Sequence, residues 1–167
     1  DLAAVLHENP EQAEYALSLV TAKWDVPEPK ADNQSIFGYL KKAAPEGRTY
    51  VEQGSPDAGR AAARKNLESE FHCHYVAHAP IEPYTVMADV KPDGVTIHAS
   101  TQAPFQVRAT AVEALGIPED QVHVMTPFVG GGFGGKKSGR QIREAVKLSK
   151  ITGRPVLLAW SRKEEFF

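Results

Sequence analysis

The chain has 167 residues, of which 42% are hydrophobic and 24% are charged, and its formal net charge is −2. This composition is typical of a globular protein, and the near-neutral charge excludes a general electrostatic attraction to nucleic acid or acidic membranes. The single cysteine excludes an internal disulfide, and no run approaches the roughly 20 apolar residues that a membrane-spanning helix needs.

Three short helices are predicted in the first 66 residues. Asn9 suits the N-cap of a helix, and Pro10 suits its first position, so a helix is expected to begin there. Ser35 can cap a second short helix. Ser55 precedes a proline and an aspartate and can cap a third.

Short strands are expected between these helices. The later half of residues 19–26 alternates between apolar and polar positions, and residues 49–54 form another short run of strand-forming residues. Residues 3–6 have the composition of the middle of a strand. The chain opens without Met on this segment and closes on Glu164-Glu165-Phe166-Phe167. Both ends read as cuts, so we expect the chain to be part of a longer polypeptide.

The sequence becomes rich in strand-forming residues after a predicted seam near residue 66. Residues 67–77 alternate as a strand would. Residues 84–90 and 95–100 are two further strand candidates, joined by the turn-forming sequence Lys91-Pro92-Asp93-Gly94. A compact β-hairpin is therefore predicted at this position.

Helices and strands alternate in the last third of the chain. Residues 104–115 have the spacing of an amphipathic helix, and residues 121–125 form a strand that leads into a glycine-rich segment. Ser138 or Gly139 can cap the last helix, and residues 155–160 form a final strand. The predicted fold class is α+β, with mixed sheets and flanking helices.

The glycine-rich segment is the most unusual feature of the sequence. Five of the thirteen glycines lie between Gly130 and Gly135, and Phe133 is the only other residue there. Glycine permits positive φ and close approach of the backbone to other groups. A loop that only turns the chain needs one or two glycines, so this density indicates backbone amides presented to a ligand, most simply an anion.

Nucleotide binding is the alternative hypothesis for this loop. Gly130, Gly135 and Lys136 fit a P-loop, but Lys137 stands where the motif has serine or threonine. Gly130, Gly132 and Gly135 also fit the dinucleotide pattern, which any run this rich in glycine matches. A module that binds ATP or NAD(P) through the Gly130–Lys136 loop therefore stays open.

Lys136 and Lys137 come just before the predicted last helix. The N-terminal end of a helix carries partial positive charge, which disfavours cations nearby. We therefore expect these lysines to meet an anion.

Histidines near the middle of the chain suggest a metal site as a further hypothesis. His72 and His74 would share one face of the predicted strand, and His78 follows. No acidic residue is aimed at this group by its spacing. Surface or interface residues are the preferred interpretation, and we assign no metal-binding residue.

The loop and several other segments resemble the molybdopterin-binding large subunit of the molybdenum hydroxylases. This family includes xanthine dehydrogenase, aldehyde oxidase and isoquinoline 1-oxidoreductase. The similar segments are Val129 to Lys136, Ser100 to Pro104, Leu115 to Val124, and Thr152 to Val156. The resemblance extends over essentially the whole chain and is closest to the isoquinoline 1-oxidoreductase or aldehyde dehydrogenase branch.

The resemblance implies roles for five cofactor-binding residues. Gln102 would donate its side-chain amide to an oxo ligand of molybdenum. Gly132, Phe133 and Gly134 would pass beside the metal with their backbone amides directed at its oxygens, and Gly131 would be a further cofactor-binding residue. Phe133 would also be an apolar wall that excludes water. In this family the protein supplies no direct metal ligand, so these residues act through hydrogen bonds and shape.

The resemblance also implies the cofactors and the substrate class. The cofactors would be molybdenum with molybdopterin, in the cytosine dinucleotide form, and iron–sulfur clusters on a partner subunit or domain. Lys137 stands where xanthine-type members carry an acid that meets the purine, which favours aldehydes or N-heterocycles. The catalytic base of the family lies near the far C-terminus of the subunit. No catalytic residue is therefore assigned here, and the chain alone is expected to be inactive.

The same resemblance suggests a division into domains and a set of partners. Residues 1–66 would be part of a small α+β N-terminal (hammerhead-like) domain and a linker. Residues 67–167 would be the first part of the molybdopterin cofactor-binding domain. The implied partners are a small-molecule substrate, the remainder of the same subunit and an iron–sulfur electron-transfer subunit, without nucleic acid or a membrane span. The cytoplasm and the periplasm are both compatible with these expectations.

Overall fold

A computed structural model describes residues 2–137 and 139–166 of the chain. The chain divides into two compact units between His72 and Cys73. This division lies a few residues beyond the predicted seam at residue 66. The assignment of each part to a particular domain stays a prediction.

The first unit contains three short helices that begin where the sequence predicted. Side-chain caps explain two of these starts. Oδ1 of Asn9 accepts hydrogen bonds from the N–H groups of Glu11 and Gln12, at 2.8 Å and 3.2 Å. Oγ of Ser55 accepts from the N–H of Ala58 at 3.2 Å. The helices are α1 (Pro10–Ser18), α2 (Ile36–Ala43) and α3 (Pro56–Ala62).

The strands predicted before residue 78 are wrong. None of residues 3–6, 19–26, 49–54 and 67–77 forms a strand in the described part of the chain. An alternating segment becomes a strand only when a neighbour pairs with its backbone groups and a core covers its apolar side. No described residue up to His72 is buried, so the second of these conditions is not met in the first unit.

The second unit is built on a four-stranded mixed sheet. Its strands are β1 (Thr85–Lys91), β2 (Gly94–Ala99), β3 (Val122–Met125) and β4 (Val156–Ala159), in the order β3-β2-β1-β4. β1 is antiparallel to both β2 and β4, while β2 and β3 are parallel. The predicted hairpin is confirmed, since Lys91 pairs with Gly94 across a two-residue turn. The α+β fold class is confirmed as well.

Two longer helices, α4 (Pro104–Leu115) and α5 (Arg140–Thr152), pack against this sheet. Gly139 is the N-cap residue of α5; the alternative cap Ser138 lies outside the described residues. No described helix is long and apolar enough to cross a membrane. The buried core consists of Val86, Ala88, Val95, Ile97, Ala99, Val107, Ala111, Leu115, Val122, Ile142, Ala145 and Val146.

The strand directions bring four connections to one edge of the sheet. β2, β3 and β4 run in the same direction and β1 runs in the opposite one. The segment before β1 therefore meets the segments that follow the other three strands. These segments are residues 78–84, 100–103, 126–137 and 160–166, and the glycine-rich loop is the third of them.

A glycine-rich loop at the edge of the sheet as the candidate functional site

The loop has an unusual backbone around Phe133. Phe133 has φ of +51°, between Gly131 at +93° and Gly134 at +94°. Positive φ is an outlier for a bulky residue, and such strain costs on the order of 1–3 kcal/mol. The residue is 74% exposed, so packing within the described chain does not offset this cost. An exposed, strained aromatic residue at a loop tip is typical of a binding surface.

Close contacts explain the density of glycine at both ends of the loop. A Cβ on Gly130 would lie 2.6 Å from Cβ of Glu82. A Cβ on Gly135 would lie 3.0 Å from both the His78 ring and the Tyr84 hydroxyl. Any larger residue at these positions would push the loop away from the segment that precedes β1. The glycines therefore allow the loop to lie directly on that segment.

Gln102 lies against the middle of the loop. A Cβ on Gly132 would be 2.4 Å from Oε1 of Gln102, and the N–H of Gly134 donates to the same oxygen at 3.0 Å. A backbone N–H can donate only to the oxygen of the Gln102 side-chain amide. The nitrogen of that amide, Nε2, therefore remains available as a donor. Nε2 has no hydrogen-bond partner among the described residues. The structure thus brings Gln102 into contact with Gly132 and Gly134, the two residues next to Phe133 in the sequence.

The backbone of the loop offers further donors. The N–H groups of Gly131, Gly132 and Phe133 donate to no described residue, whereas the N–H of Gly135 donates to the Gly132 carbonyl at 2.7 Å. Consecutive unused amides of this kind are donors for an anion or for electronegative ligand atoms. Gly134 differs from these three residues. Its N–H, which the resemblance directs at the cofactor, already donates to Oε1 of Gln102.

The segment that carries Gln102 is attached to the far end of the loop. The carbonyl of Lys136 accepts from the N–H of Gln102 at 3.0 Å and from Oγ1 of Thr101 at 3.1 Å. Oγ1 of Thr101 in turn accepts from the N–H of Ala103 at 3.0 Å. These bonds hold the exit of β2 against the main-chain carbonyl of Lys136 at the end of the loop.

The side chain of Lys136 is fully buried, with 0% of its surface exposed. Nζ lies 2.7 Å from Oε2 of Glu82 and 2.7 Å from Oγ of Ser100. Both loop lysines were expected to lie near an anion. For Lys136 this anion is the carboxylate of Glu82 in the same chain. Glu82 is 54 positions away in sequence, so the local pattern around the loop could not identify it. Lys137 is exposed.

Glu82 gathers three hydrogen bonds on one carboxylate oxygen. Besides the Lys136 ammonium, Oε2 accepts from the N–H of Gly130 at 2.6 Å and from Oγ of Ser100 at 2.7 Å. Partial burial raises the pKa of Glu82, but the bonds from Lys136, Ser100 and Gly130 outweigh this effect and hold the pKa below its ordinary value. Glu82 is consequently ionised at neutral pH.

The segment after β4 supports the segment that carries Glu82. Arg162 donates to the carbonyl of Pro80 at 2.5 Å and forms an ion pair with Glu165. Glu165 accepts from the N–H of Tyr84 at 2.8 Å, and the N–H of Trp160 donates to the Tyr84 carbonyl at 2.9 Å. Arg162 therefore ties the segment after β4 to the segment before β1. No local sequence signal marks this contact, since Pro80 lies 82 positions away.

The chemistry of the loop suits a group that brings its own metal ligands. Within residues 2–137 and 139–166, no cluster of three or more histidine, cysteine, aspartate or glutamate side chains could hold a metal ion. The site instead offers amide donors and one aromatic ring. Unused donors beside a glycine cradle fit a prosthetic group with electronegative atoms.

Residues 40–167 match the family described as the molybdopterin cofactor-binding domain. Because this match covers most of the chain, the protein belongs to that family. The match begins at residue 40, ahead of the predicted start of the cofactor-binding domain at residue 67. The domain boundaries accordingly stay a prediction.

Individual relatives agree with this family. The chain is 34% identical over 113 residues to "Probable hypoxanthine oxidase XdhD" of Escherichia coli (strain K12), a match covering 68% of the chain and 12% of that protein. It is 32% identical over 167 residues to "Xanthine dehydrogenase molybdenum-binding subunit" of Escherichia coli O157:H7, covering 92% and 21%. Among solved structures, quinoline 2-oxidoreductase from Pseudomonas putida 86 is 30% identical with a TM-score of 0.57, covering 64% and 14%. The chain thus spans only a small part of the length of these relatives.

The nucleotide-binding alternative loses support from these observations. A P-loop lysine must reach the phosphates, but the ammonium group of Lys136 is enclosed between Glu82 and Ser100. The pair also leaves little net positive charge at the loop for a polyphosphate. The family match provides no reason to retain ATP or NAD(P) as the ligand.

Proposed function

We propose that the chain is part of the catalytic subunit of a molybdenum hydroxylase-type oxidoreductase that hydroxylates aldehydes or N-heterocycles with water as the oxygen source. The observation that carries this proposal is the contact between Gln102 and the glycine loop in a chain of the molybdopterin cofactor-binding domain family. When bound, the molybdenum cofactor would supply the redox centre that accepts two electrons from the substrate.

The residues of this chain would form one wall of the cofactor pocket. Gln102 would bind through Nε2, whose direction is set by the bond from Gly134 to Oε1. The unused N–H groups of Gly131, Gly132 and Phe133 would supply neighbouring donors. Preorganised donors of this kind stabilise developing negative charge without rearranging during the reaction.

Phe133 would form the apolar part of the same wall. Its ring is exposed, and its backbone has positive φ between Gly131 and Gly134, which also have positive φ. A ring in this position would exclude water and pack against a flat or apolar substrate. Lys137 supports aldehydes or N-heterocycles over purines, because a cation there cannot accept hydrogen bonds from purine N–H groups.

The finer features of the subunit follow from the same proposal. The cofactor would be the cytosine dinucleotide form of molybdopterin, and iron–sulfur clusters on a partner subunit or domain would carry electrons away. The rest of the subunit would supply the opposite wall and the catalytic base, so this segment alone would be inactive. Residues 1–66 would belong to a small N-terminal domain and linker, and residues 67–167 would begin the cofactor-binding domain.

Metal and pterin analysis of the full-length subunit tests this proposal. We expect molybdenum and pterin in equal amounts in the purified protein. Turnover with an artificial electron acceptor should be faster for benzaldehyde or quinoline than for xanthine. In water labelled with oxygen-18, the label should enter the product. An active protein without molybdenum, or one that instead binds ATP or NAD tightly in calorimetry, would overturn the proposal.

A further inference from the structure

Lys136 connects three separate segments of the site. Its carbonyl accepts from Thr101 and Gln102, at the exit of β2. Its ammonium group reaches Glu82, in the segment before β1, and Ser100. One residue at the end of the glycine loop therefore holds both neighbouring segments.

Glu82 joins the two ends of the loop. The same oxygen, Oε2, accepts from the N–H of Gly130 at 2.6 Å and from Nζ of Lys136 at 2.7 Å. The residues between these two points include Phe133 and the three unused amides. The loop is thus closed over a single carboxylate, which fixes its span.

Fold stability alone does not explain this ion pair. The Lys136 side chain is 0% exposed and that of Glu82 is 31% exposed. Moving such charges out of water offsets most of their attraction, so apolar residues of similar size often serve stability equally well. Buried pairs of this kind are better suited to selecting one geometry among several. The geometry selected here is the position of the loop relative to Gln102.

We propose that Lys136 and Glu82 are positioning residues that hold the loop amides and Gln102 in the arrangement that the bound cofactor requires. This inference rests on the proposed function. Neither residue needs to touch the cofactor or the substrate. Lys136 acts on Gln102 through its carbonyl, and Glu82 acts on the loop through Gly130.

Two variants of the full-length subunit test this role. Lys136→Met removes the ammonium group and keeps most of the side-chain volume. Glu82→Gln keeps a side-chain oxygen that can accept from Lys136 and Gly130 but removes the charge. The measurements are molybdenum content, turnover per bound molybdenum and the electron paramagnetic resonance spectrum of the partly reduced molybdenum centre.

Two controls separate positioning from general stability. Arg143→Met removes an ion pair with Glu113 that is largely exposed and involves no loop residue. Val146→Ala opens space in the buried core on α5 and lowers the melting temperature. Both controls are expected to keep the wild-type spectrum and the wild-type turnover per molybdenum.

The expected result is a changed spectrum and a loss of turnover per molybdenum in Lys136→Met. The loss should be on the order of 10²-fold, as for small misplacements of binding groups. Glu82→Gln should change the spectrum and the turnover per molybdenum in the same direction, but by less. If Lys136→Met gives no soluble subunit, Glu82→Gln alone tests the positioning role.

Wild-type spectra and turnover per molybdenum in both variants would overturn the inference, and so would an equal change in Val146→Ala. A wild-type subunit without molybdenum would instead refute the proposed function, so the two failures are distinguishable.

Discussion

Gly132 and Gln102 approach each other so closely that a Cβ on residue 132 would lie 2.4 Å from Oε1 of the glutamine. Real Cβ atoms do not come this near to other heavy atoms, so the contact exists only because residue 132 is glycine. The nearest atom belongs to the end of a flexible side chain. A larger residue would therefore move Gln102 before it disturbed the fold.

Gly132→Ala separates the position of Gln102 from the stability of the protein. Because the added methyl group displaces only a side-chain amide, the unfolding free energy should fall by less than about 1 kcal/mol. Turnover of the full-length subunit should fall on the order of 10²-fold, since the donor Nε2 would move. The measurements are turnover per bound molybdenum and the melting temperature.

Gly59→Ala is the matched control for this substitution. Gly59 lies in α3, and an added Cβ there would meet no atom within 4 Å. The control should keep wild-type turnover and gain slightly in stability, since alanine favours helix. Equal turnover in both variants would show that the position of Gln102 does not matter.

Gln102→Glu tests the donor on Gln102 separately from the contact with Gly134. A glutamate keeps an oxygen that can accept from the N–H of Gly134 but has no Nε2 donor. Loss of one preorganised donor should lower kcat by about 10²-fold or more. Gln102→Ala should lower it by a similar factor. If Gln102→Glu retained wild-type kcat, the proposed hydrogen bond from Nε2 would be refuted.

Glu82 should make the thermal stability of the subunit more sensitive to acid. Its pKa in the folded protein is lower than the ordinary value of 4.5. The stabilisation from the ionised carboxylate is therefore complete above about pH 4.5 and is lost as pH falls through the folded pKa. Glu82→Gln does not titrate, so its melting temperature should fall less steeply than that of the wild type below pH 4.5.

Scanning calorimetry measures the melting temperatures of the wild type and Glu82→Gln between neutral pH and about pH 3. This range includes the ordinary pKa of a carboxyl group. Glu113→Gln is the control, because that carboxylate is 68% exposed and pairs with Arg143 at the surface. It measures how much the removal of an exposed carboxylate by itself changes the melting temperature. Parallel curves for the wild type and Glu82→Gln would contradict the depressed pKa.

Phe133 combines backbone strain with a proposed contact, and two substitutions separate them. Phe133→Ala removes the ring and keeps a strained residue at φ of +51°. Phe133→Gly removes both, and it should be the more stable of the two variants. Loss of apolar contact should reduce kcat/KM for an aromatic substrate by roughly 10-fold or more in both variants. If only Phe133→Gly lost activity, the strained backbone rather than the ring would be the functional feature.

Sequence patterns predicted the second unit better than the first. The turn at Pro92 and Asp93 is a local signal, and the hairpin that it predicts is formed. Residues 67–77 alternate just as clearly, yet they form no strand. Pairing depends on a neighbouring strand and on a core, neither of which is encoded in the segment itself.

The candidate site shows the same limit. The glycine loop is a local signal and could be identified directly. The Lys136–Glu82 pair joins residues 54 positions apart, and the helix-end position of Lys136 predicted only that some anion would be near. Gln102 came from the resemblance to the family, whereas its bond with Gly134 required the structure.

The position of molybdenum in crystals of the full-length subunit is the most direct test of the central claim. Anomalous diffraction at the molybdenum absorption edge would locate the metal without assumptions about the loop. The peak should lie beside Phe133, with a ligand of the metal within hydrogen-bond distance of Nε2 of Gln102. A peak elsewhere in the subunit, with the Gly130–Lys136 loop packed only against protein, would contradict the assignment of this loop to the cofactor pocket.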